Sequence, residues 1–405
     1  MRVGVFFPNS SPLSGGAYTF HQEMLKALVK LASGSHHHFT LFFDEVASIN
    51  LTKMAEDNME VVFLQTFPPP LSLEKRLLLA VIGKLGWKLK EKPKVLSDYR
   101  LQVQARERHI DLVWFPTSIY LPVEVPYMVT VWDIQHRLQP WFPEVGESGI
   151  WNSRETYYSA YLRRAAFILT PNEAGRRELS LFYQIPDERF CLLPHPTPLI
   201  EEIPSNEDVS AVLLKHQISA PYLFYPAQFW AHKNHINLLL ALKILIDTYG
   251  MDFQLVLVGS DQGNKQYILN KMDEFGLVNN VRVLGFIPRE DVMALYRGAF
   301  VLSYLTYFGP ENLPPLEAFT LGCPVIASRV SGVEEQLGDA AFLVNGSCPE
   351  EIAEAIKKLY DNPSLRNSLI SKGRAHATRF TSLDYVKAVF SLFDGFEPVR
   401  RNWES

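Results

Sequence analysis

The residue types best suited to chemistry lie between positions 308 and 328, which read FGPENLPPLEAFTLGCPVIAS. Pro314 predicts the first turn of a helix, because its missing N–H would be unpaired there anyway, and Gly322 predicts the end of that helix. We expect the backbone N–H groups at this helix start and in the turn 309–313 to bind a diphosphate. Within this segment, the sequence therefore predicts an anion site.

Glu317 is predicted in the first turn of the same helix. A carboxylate there can accept hydrogen bonds from two adjacent hydroxyls, such as those of a ribose. The alternative is a helix start with a glutamate that is favoured by the helix dipole and has no ligand.

A second candidate lies after the first apolar run, where residues 8–20 read PNSSPLSGGAYTF. Gly15 and Gly16 open a predicted helix there. A glycine turn after a first strand is a usual place for close ligand approach. The spacing is not GxGxxG, so a dinucleotide fingerprint is not supported. A tight turn without a ligand is the alternative.

Short apolar runs alternate with helical patterns along the whole chain. The runs are 3–7, 40–43, 61–64, 112–115, 128–132, 167–170, 191–193, 222–225, 255–258, 281–284, 300–304, 325–327 and 341–344. Continuous apolar strands followed by helices predict parallel sheets covered on both faces, an α/β fold. The proline-rich stretch 194–219 is the predicted linker between two such domains, with a ligand cleft at the carboxyl ends of their strands. The tail 381–393 has a helical pattern that could return to the first domain.

Composition excludes several classes of protein. The 405 residues carry a formal net charge of −5, which disfavours nucleic-acid binding. Three cysteines without a CxxC motif indicate reduced thiols and a cytoplasmic protein. No apolar run reaches the roughly 18 residues that span a bilayer, and the first run is interpreted as a strand, not a signal peptide.

The segment 308–328 resembles the donor-binding signature of glycosyltransferase family 4. The stretches NLPPLEAFTLGCPVIAS (312–328), VSGVEEQLGDAAFLVNGSCPEEIAEAI (330–356) and YPAQFWAHKNHINLLLAL (225–242) are similar to that family's motifs, as are residues 254–259 and 281–296. The resemblance is strong over about 190–380 and weak before it. It implies a GT-B fold of two facing Rossmann-like, doubly wound domains. These would be 1–200 on the acceptor side and 210–380 on the nucleotide-sugar side, with 381–405 packed back on the first.

The resemblance assigns donor-binding roles residue by residue. Lys233 would bind the diphosphate as a mobile point charge, Glu317 the ribose, and Leu284 and Phe286 the base. A surface lysine that caps a loop is the alternative for Lys233. Further donor contacts are assigned to the following residues: Gly15, Gly16, Gln228, Asn312 and Leu313.

Two residues depart from the family pattern. The family's first glutamate falls on Gly309, which leaves Glu311, two positions later, as its candidate substitute. The family's arginine before the lysine is replaced by Gln228, which supplies no charge. A catalytically divergent nucleotide-sugar-binding protein therefore stays an alternative.

Asp133 and His136 follow the run 128–132, at the expected carboxyl end of a strand, where the family often has His-Asp. They would orient the acceptor hydroxyl or bind the sugar, since histidine suits proton transfer near neutral pH. His136 capping its loop is the alternative. We interpret His195 as structural, and the run 36–38 as a solvated turn and not a metal site.

The resemblance implies retaining transfer of a hexose, with mannose among the open sugars, from a nucleoside-diphosphate sugar to a saccharide or lipid-linked hydroxyl. This would serve polysaccharide or glycan biosynthesis without a required metal or other cofactor. An epimerase or a phosphorylase on the same fold is the rival. The basic, tryptophan-bearing stretch 73–94 could lie on an anionic membrane from the cytoplasmic side, or be a core-facing helix with a solvated basic face.

Overall fold

The computed structural model describes residues 1–44, 58–64, 98–200, 202–219 and 221–403, which contain two parallel sheets. The stretch 73–94 lies outside these residues. The first sheet has seven strands in the order β3-β2-β1-β4-β5-β6-β7. They are β1 (Arg2–Phe7), β2 (His38–Phe43), β3 (Met59–Phe63), β4 (Leu112–Phe115), β5 (Tyr127–Thr130), β6 (Phe167–Thr170) and β7 (Phe190–Leu192).

The second sheet has six strands in the order β10-β9-β8-β11-β12-β13. They are β8 (Tyr222–Pro226), β9 (Gln254–Val258), β10 (Val281–Gly285), β11 (Val301–Tyr304), β12 (Val325–Ser328) and β13 (Ala341–Val344). All strand pairings in both sheets are parallel, and every residue of β4, β5, β11 and β12 is buried. Helices therefore cover both faces, as the continuous apolar runs predict.

The helices of the first half within the described ranges are α1 (Gly16–Ala32), α2 (Arg100–Glu107), α3 (Gln135–Leu138), α4 (Pro143–Gly146), α5 (Ile150–Tyr161) and α6 (Glu173–Tyr183). Those of the second half are α7 (Asn206–Lys215), α8 (His235–Asp247), α9 (Lys265–Glu274), α10 (Arg289–Gly298), α11 (Leu313–Leu321), α12 (Val333–Leu337), α13 (Pro349–Asp361), α14 (Pro363–Ala377) and α15 (Ser382–Arg400). In the described part of the chain no helix is long and apolar enough to cross a membrane.

The last helix returns to the first sheet. It begins at a capping box, in which the Thr381 side chain accepts from the Asp384 N–H and the Asp384 carboxylate accepts from the Thr381 N–H. Phe390 stacks on Phe39 of β2 with 5.2 Å between ring centroids. The helix thus packs on the first domain while following the second in sequence.

The predicted apolar runs all correspond to strands, but three local expectations are corrected. The run 128–132 leaves the sheet after Thr130. The predicted linker contains α7, because Ser205 and Asp208 form a capping box that starts a helix. Helix α11 begins at Leu313, so Glu317 lies in its second turn and not in its first.

Candidate active-site cleft

The carboxyl ends of β1, β5, β8 and β11 meet at a cleft between the two sheets, which has two adjoining chambers. The larger chamber, of about 370 Å³, contains Lys233, Glu311 and Asp133 in its lining. The smaller, of about 220 Å³, contains Glu317 and Phe286. Both chambers are bordered by Gly15, Gly16, Pro226, Leu313 and Pro314. One ligand with a charged part and a flatter, less polar part could therefore occupy both chambers.

Lys233 ends a single 3-10 turn that is held rigidly. The next residue, Asn234, is left-handed (φ 57°), and its side-chain amide donates to the carbonyls of Leu305 (2.8 Å) and Gly346 (2.7 Å). The Lys233 ammonium donates to the Tyr304 hydroxyl at 3.1 Å. Among the ion pairs of the described residues none involves Lys233. Its charge is therefore available to an anion.

A hydrogen-bonded relay links this lysine to the turn before α11. The Tyr304 hydroxyl donates to Asn312 Oδ1 (2.9 Å), and Asn312 Nδ2 donates to the Gly309 carbonyl (2.9 Å). The Asn312 backbone N–H donates to Gln336 (3.0 Å). Since its amide is committed to the turn, Asn312 borders the cleft without capping the helix by its side chain.

The start of α11 offers fewer donors than the sequence interpretation assumed. Its first three residues are Leu313, Pro314 and Pro315, and a proline has no N–H. Of these three residues, Leu313 alone has a backbone N–H to direct at a ligand. The expectation for this helix start is therefore corrected: positive charge at this end of the cleft comes from Lys233 and the helix dipole more than from a ring of amides.

Glu317 borders the smaller chamber from the second turn of α11. Its Oε2 accepts from the Tyr296 hydroxyl (2.9 Å), and its Oε1 lies 3.9 Å from the Arg289 guanidinium. Burial raises the pKa of this carboxyl above its ordinary value. Phe286 lines the same chamber and is 57% exposed. Leu284 lines neither chamber.

Gly309 cannot be replaced by the family's glutamate without rearrangement. Its φ is +132°, and a Cβ there would lie 2.8 Å from the Asn312 side-chain amide. Glu311 is buried at the cleft wall, and its Oε2 accepts from the His195 backbone N–H. Burial raises the pKa of Glu311. The Glu311 carboxylate is thus tied to the segment that follows β7.

Gln228 bridges the two domains. Its Nε2 donates to the Leu13 carbonyl (2.6 Å) and to Ser260 Oγ (3.0 Å), while its Oε1 accepts from Trp230 Nε1 (3.1 Å). Gly15 is left-handed (φ +62°), and its ideal Cβ would lie 3.7 Å from Gln228. The positive φ of Gly15, and not a lack of room for a Cβ, favours glycine there. Gln228 borders the cleft with its amide already paired.

Asp133 follows β5 and borders the cleft, and two hydrogen bonds orient its carboxylate. Its Oδ1 accepts from the Arg154 guanidinium (2.7 Å) and from the Gln135 N–H (2.9 Å). Burial opposes ionisation, but the Arg154 charge and these hydrogen bonds leave the pKa of Asp133 lowered. It is therefore an ionised, oriented acceptor on the first domain's side.

His136 is not in the cleft, which corrects the expectation for this residue. The short helix α3 turns the side chain into the first domain, where it is fully buried. Its Nε2 lies 3.3 Å from both Glu155 Oε2 and the Tyr183 hydroxyl. Burial lowers the pKa of His136 to about 4, so the ring is neutral at pH 7, and it lines neither chamber.

Several cleft residues are absent from the sequence interpretation. Trp132 Nε1 and Gln135 Nε2 are buried without a hydrogen-bond partner and line the larger chamber. His195, interpreted from the sequence as structural, lines the same chamber. Glu144 accepts from the His232 backbone N–H (3.1 Å), which joins α4 to the lysine turn. Tyr304 had a sequence signal, a polar residue at a strand's carboxyl end. The others depend on tertiary contacts that no local pattern encodes.

Comparison with known proteins agrees with this geometry. Residues 214–376 match the family model "Glycosyl transferases group 1". The chain is 27% identical over 309 residues to the O-antigen chain mannosyltransferase B of Escherichia coli, covering 74% of this chain and 80% of that protein. It is 28% identical to the D-inositol 3-phosphate glycosyltransferase of Corynebacterium jeikeium (strain K411), covering 41% and 42%.

Solved structures share the fold across the whole chain. The Anabaena protein Alr3699/HepE, solved with UDP and glucose, has a TM-score of 0.69 at 16% identity, covering 98% of this chain and 100% of that one. WaaG, a glycosyltransferase involved in lipopolysaccharide biosynthesis, has a TM-score of 0.67 at 16% identity, covering 96% and 99%. The α/β fold of two facing parallel-sheet domains, GT-B, is confirmed.

The class of protein follows from fold, cleft and comparison together. The resemblance to the group 1 glycosyltransferases is confirmed by the match of residues 214–376 to that family's model. The chain is a glycosyltransferase.

Proposed function

We propose that the chain is a retaining hexosyltransferase that moves a sugar from a nucleoside-diphosphate sugar to a hydroxyl of a saccharide or lipid-linked acceptor, in polysaccharide or glycan biosynthesis. The observation that carries this is the Lys233 ammonium, which lines the larger chamber with no ion-pair partner among the described residues. A diphosphate supplies the missing negative charge at that point.

The two chambers fit the two ends of such a donor. The smaller one offers a carboxylate, Glu317, for ribose hydroxyls and an exposed ring, Phe286, for a base. The larger one offers the unpartnered Trp132 and Gln135 donors for sugar hydroxyls. UDP-bound relatives of the same fold and the 27% identical mannosyltransferase support this class of donor, and mannose is the favoured sugar.

The proposed chemistry takes place on one face of the sugar. The bond between the anomeric carbon and the diphosphate oxygen breaks, and the acceptor oxygen attacks from the side that the diphosphate leaves. The acceptor proton passes to the departing phosphate oxygen. Lys233 and the Leu313 N–H stabilise the leaving group, and Asp133 orients the acceptor hydroxyl. No metal or other cofactor is required for this route.

A panel of nucleotide sugars tests the proposal. GDP-mannose, UDP-glucose and their relatives are incubated with saccharide and lipid-linked acceptors, while nucleoside diphosphate release and product anomericity are measured. A thermal-shift screen against GDP, UDP, ADP and dTDP identifies the base, because ligand at 100 times its dissociation constant stabilises by about 2.7 kcal/mol. Binding without turnover across all pairs would identify a non-catalytic binder, and free isomerised sugar would identify an epimerase.

A further inference from the structure

A cluster of imidazole and carboxylate groups lies where the turn after α1 meets the last helix. None of its members lines the cleft. His36 and His37 end that turn, and Asp394 and Glu397 lie three residues apart, on one face of α15. Ligand atoms of His36, His37 and Glu397 all lie within 4.8 Å of one another. The sequence separates the two pairs by more than 350 residues, so no local motif reveals the cluster.

The distances within the cluster match those of ligands around a small metal ion. His36 Nε2 lies 3.1 Å from Glu397 Oε2 and 3.6 Å from Asp394 Oδ1. His37 Nε2 lies 3.2 Å from the same Asp394 oxygen. Neighbouring ligand atoms of a tetrahedral zinc ion with bonds of about 2.0–2.2 Å are roughly 3.3–3.6 Å apart. The three distances lie within about 0.2 Å of this range.

His37 is the second, independent observation. Its side chain is 1% exposed, and its Nε2 has no hydrogen-bond partner although it is directed at Asp394. Phe39 and Phe393 pack edge-on against the ring. Buried polar atoms are nearly always satisfied, so a buried imidazole nitrogen directed at a carboxylate, with no hydrogen-bond partner, indicates a ligand. The expectation of a solvated turn at 36–38 is therefore wrong for His37, while His36 and His38 are exposed.

We propose that His36, His37, Asp394 and Glu397 bind a divalent transition-metal ion, with Zn²⁺ as the preferred occupant. Imidazole and carboxylate ligands in near-tetrahedral spacing suit zinc better than Mg²⁺ or Ca²⁺, which prefer six or more oxygens. The proposal does not depend on the sugar chemistry of the cleft.

Neighbouring groups orient one of the ligands. Glu397 Oε1 accepts from the Met1 amino group (3.3 Å) and from Arg401 (2.9 Å), which leaves Oε2 for the ion. If His37 binds the ion through Nε2, its ring proton is on Nδ1. Nδ1 and the Met1 amino group, now 3.3 Å apart, would then both be donors, so this contact has to open. The bound ion fastens α15, which follows the second domain in sequence, to the first domain. It thereby stabilises the folded arrangement.

Zinc binding by the full-length protein tests the proposal. The protein is stripped with EDTA, dialysed and titrated with ZnCl₂, and metal content, calorimetric affinity and melting temperature are measured. His36→Ala and Asp394→Asn change side chains that are 63% and 56% exposed, so the fold is expected to survive both. The matched control is His38→Ala, which alters the exposed neighbour outside the cluster.

Wild type and His38→Ala are expected to bind about one zinc per chain and to melt at a higher temperature with it. His36→Ala and Asp394→Asn should lose at least tenfold in affinity, together with the thermal gain. Glu397→Gln should do the same if circular dichroism shows a native fold. Equal zinc binding by all variants, or none by wild type, would overturn the proposal. Tighter binding of Ni²⁺ or Cu²⁺ at the same residues would retain the site and change only its occupant.

Discussion

The two walls of the cleft differ in how their charges are balanced. On the second domain's wall the Lys233 ammonium has a hydroxyl neighbour, Tyr304, and no carboxylate partner among the described residues. On the first domain's wall Asp133 is already paired with Arg154 at 2.7 Å. An unpaired cation predicts a charged ligand, the donor, whereas a neutralised wall suits a polar, uncharged acceptor. Under the proposed function, the second domain's wall would bind the diphosphate of the donor and the first domain's wall the acceptor.

Removal of the unpaired cation should have the largest effect. Lys233→Ala is expected to lower kcat by about 10²–10³-fold, the usual cost of losing a preorganised group that stabilises developing charge. Nucleoside diphosphate release measures it. The control is Lys243→Ala, whose ammonium pairs with Asp247 on an exposed face of α8. Activity of Lys233→Ala within threefold of wild type would remove the distinction between the two walls.

The turn before α11 should be the next most sensitive feature. Gly309→Ala adds a Cβ that would lie 2.8 Å from the Asn312 amide, so the relay to Lys233 must shift. We expect a loss of about 1–3 kcal/mol in the free energy of unfolding and at least a tenfold drop in turnover.

Gly250→Ala provides the matched control for this turn, because its φ is also positive (+63°) but nothing lies within 4 Å of the added Cβ. It should cost about 1–2 kcal/mol of backbone strain and leave turnover unchanged. Urea unfolding and turnover are measured on both variants. Gly309→Ala with full activity would show that the turn tolerates a side chain and that the family's glutamate is absent for another reason.

On the first domain's side, one residue borders the cleft, Asp133, and one is buried behind it, His136, and their substitutions should have different effects. Asp133→Asn should lower turnover at least tenfold, since the residue borders the cleft. His136→Gln should retain turnover within about threefold and lose about 1–3 kcal/mol of stability, because it disturbs a buried hydrogen-bonded group. Acceptor KM and chemical unfolding distinguish the two. If His136→Gln were inactive but as stable as wild type, this histidine would have a role in catalysis.

The two walls also differ in how far the sequence predicts them. On the second domain's wall Lys233 lies within the motif segment 225–242, and Asn312 and Glu317 lie within the segment 312–328. All three border the cleft as expected. On the first domain's wall the strand itself is predicted, although it ends at Thr130, before the end of the apolar run. The direction of each side chain after it depends on α3, which buries His136 while Asp133 borders the cleft. The Glu144–His232 and Glu311–His195 contacts join residues 88 and 116 positions apart. Local patterns contain no information on such pairs.

The smallest expected effect concerns the cost in folding stability of burying the Glu317 carboxylate. Burial raises the pKa of Glu317 in the folded protein, so the folded state binds a proton more tightly than the unfolded state does. The free energy of unfolding therefore falls as pH rises from the unfolded pKa, about 4.3, through the folded pKa, and the loss is complete above it. Glu317→Gln keeps an acceptor for Tyr296 without the buried charge.

Without ligand, Glu317→Gln should thus be slightly more stable than wild type at pH 7, and the gain should vanish below pH of about 4. Glu311, whose pKa is also raised by burial, is common to both proteins, so subtracting one unfolding curve from the other isolates Glu317. The same variant should bind nucleoside diphosphate more weakly at pH 7. The expectation would be contradicted if the stability difference between Glu317→Gln and wild type were independent of pH or of the opposite sign. The buried Glu317 carboxylate would then not destabilise the protein in the absence of ligand.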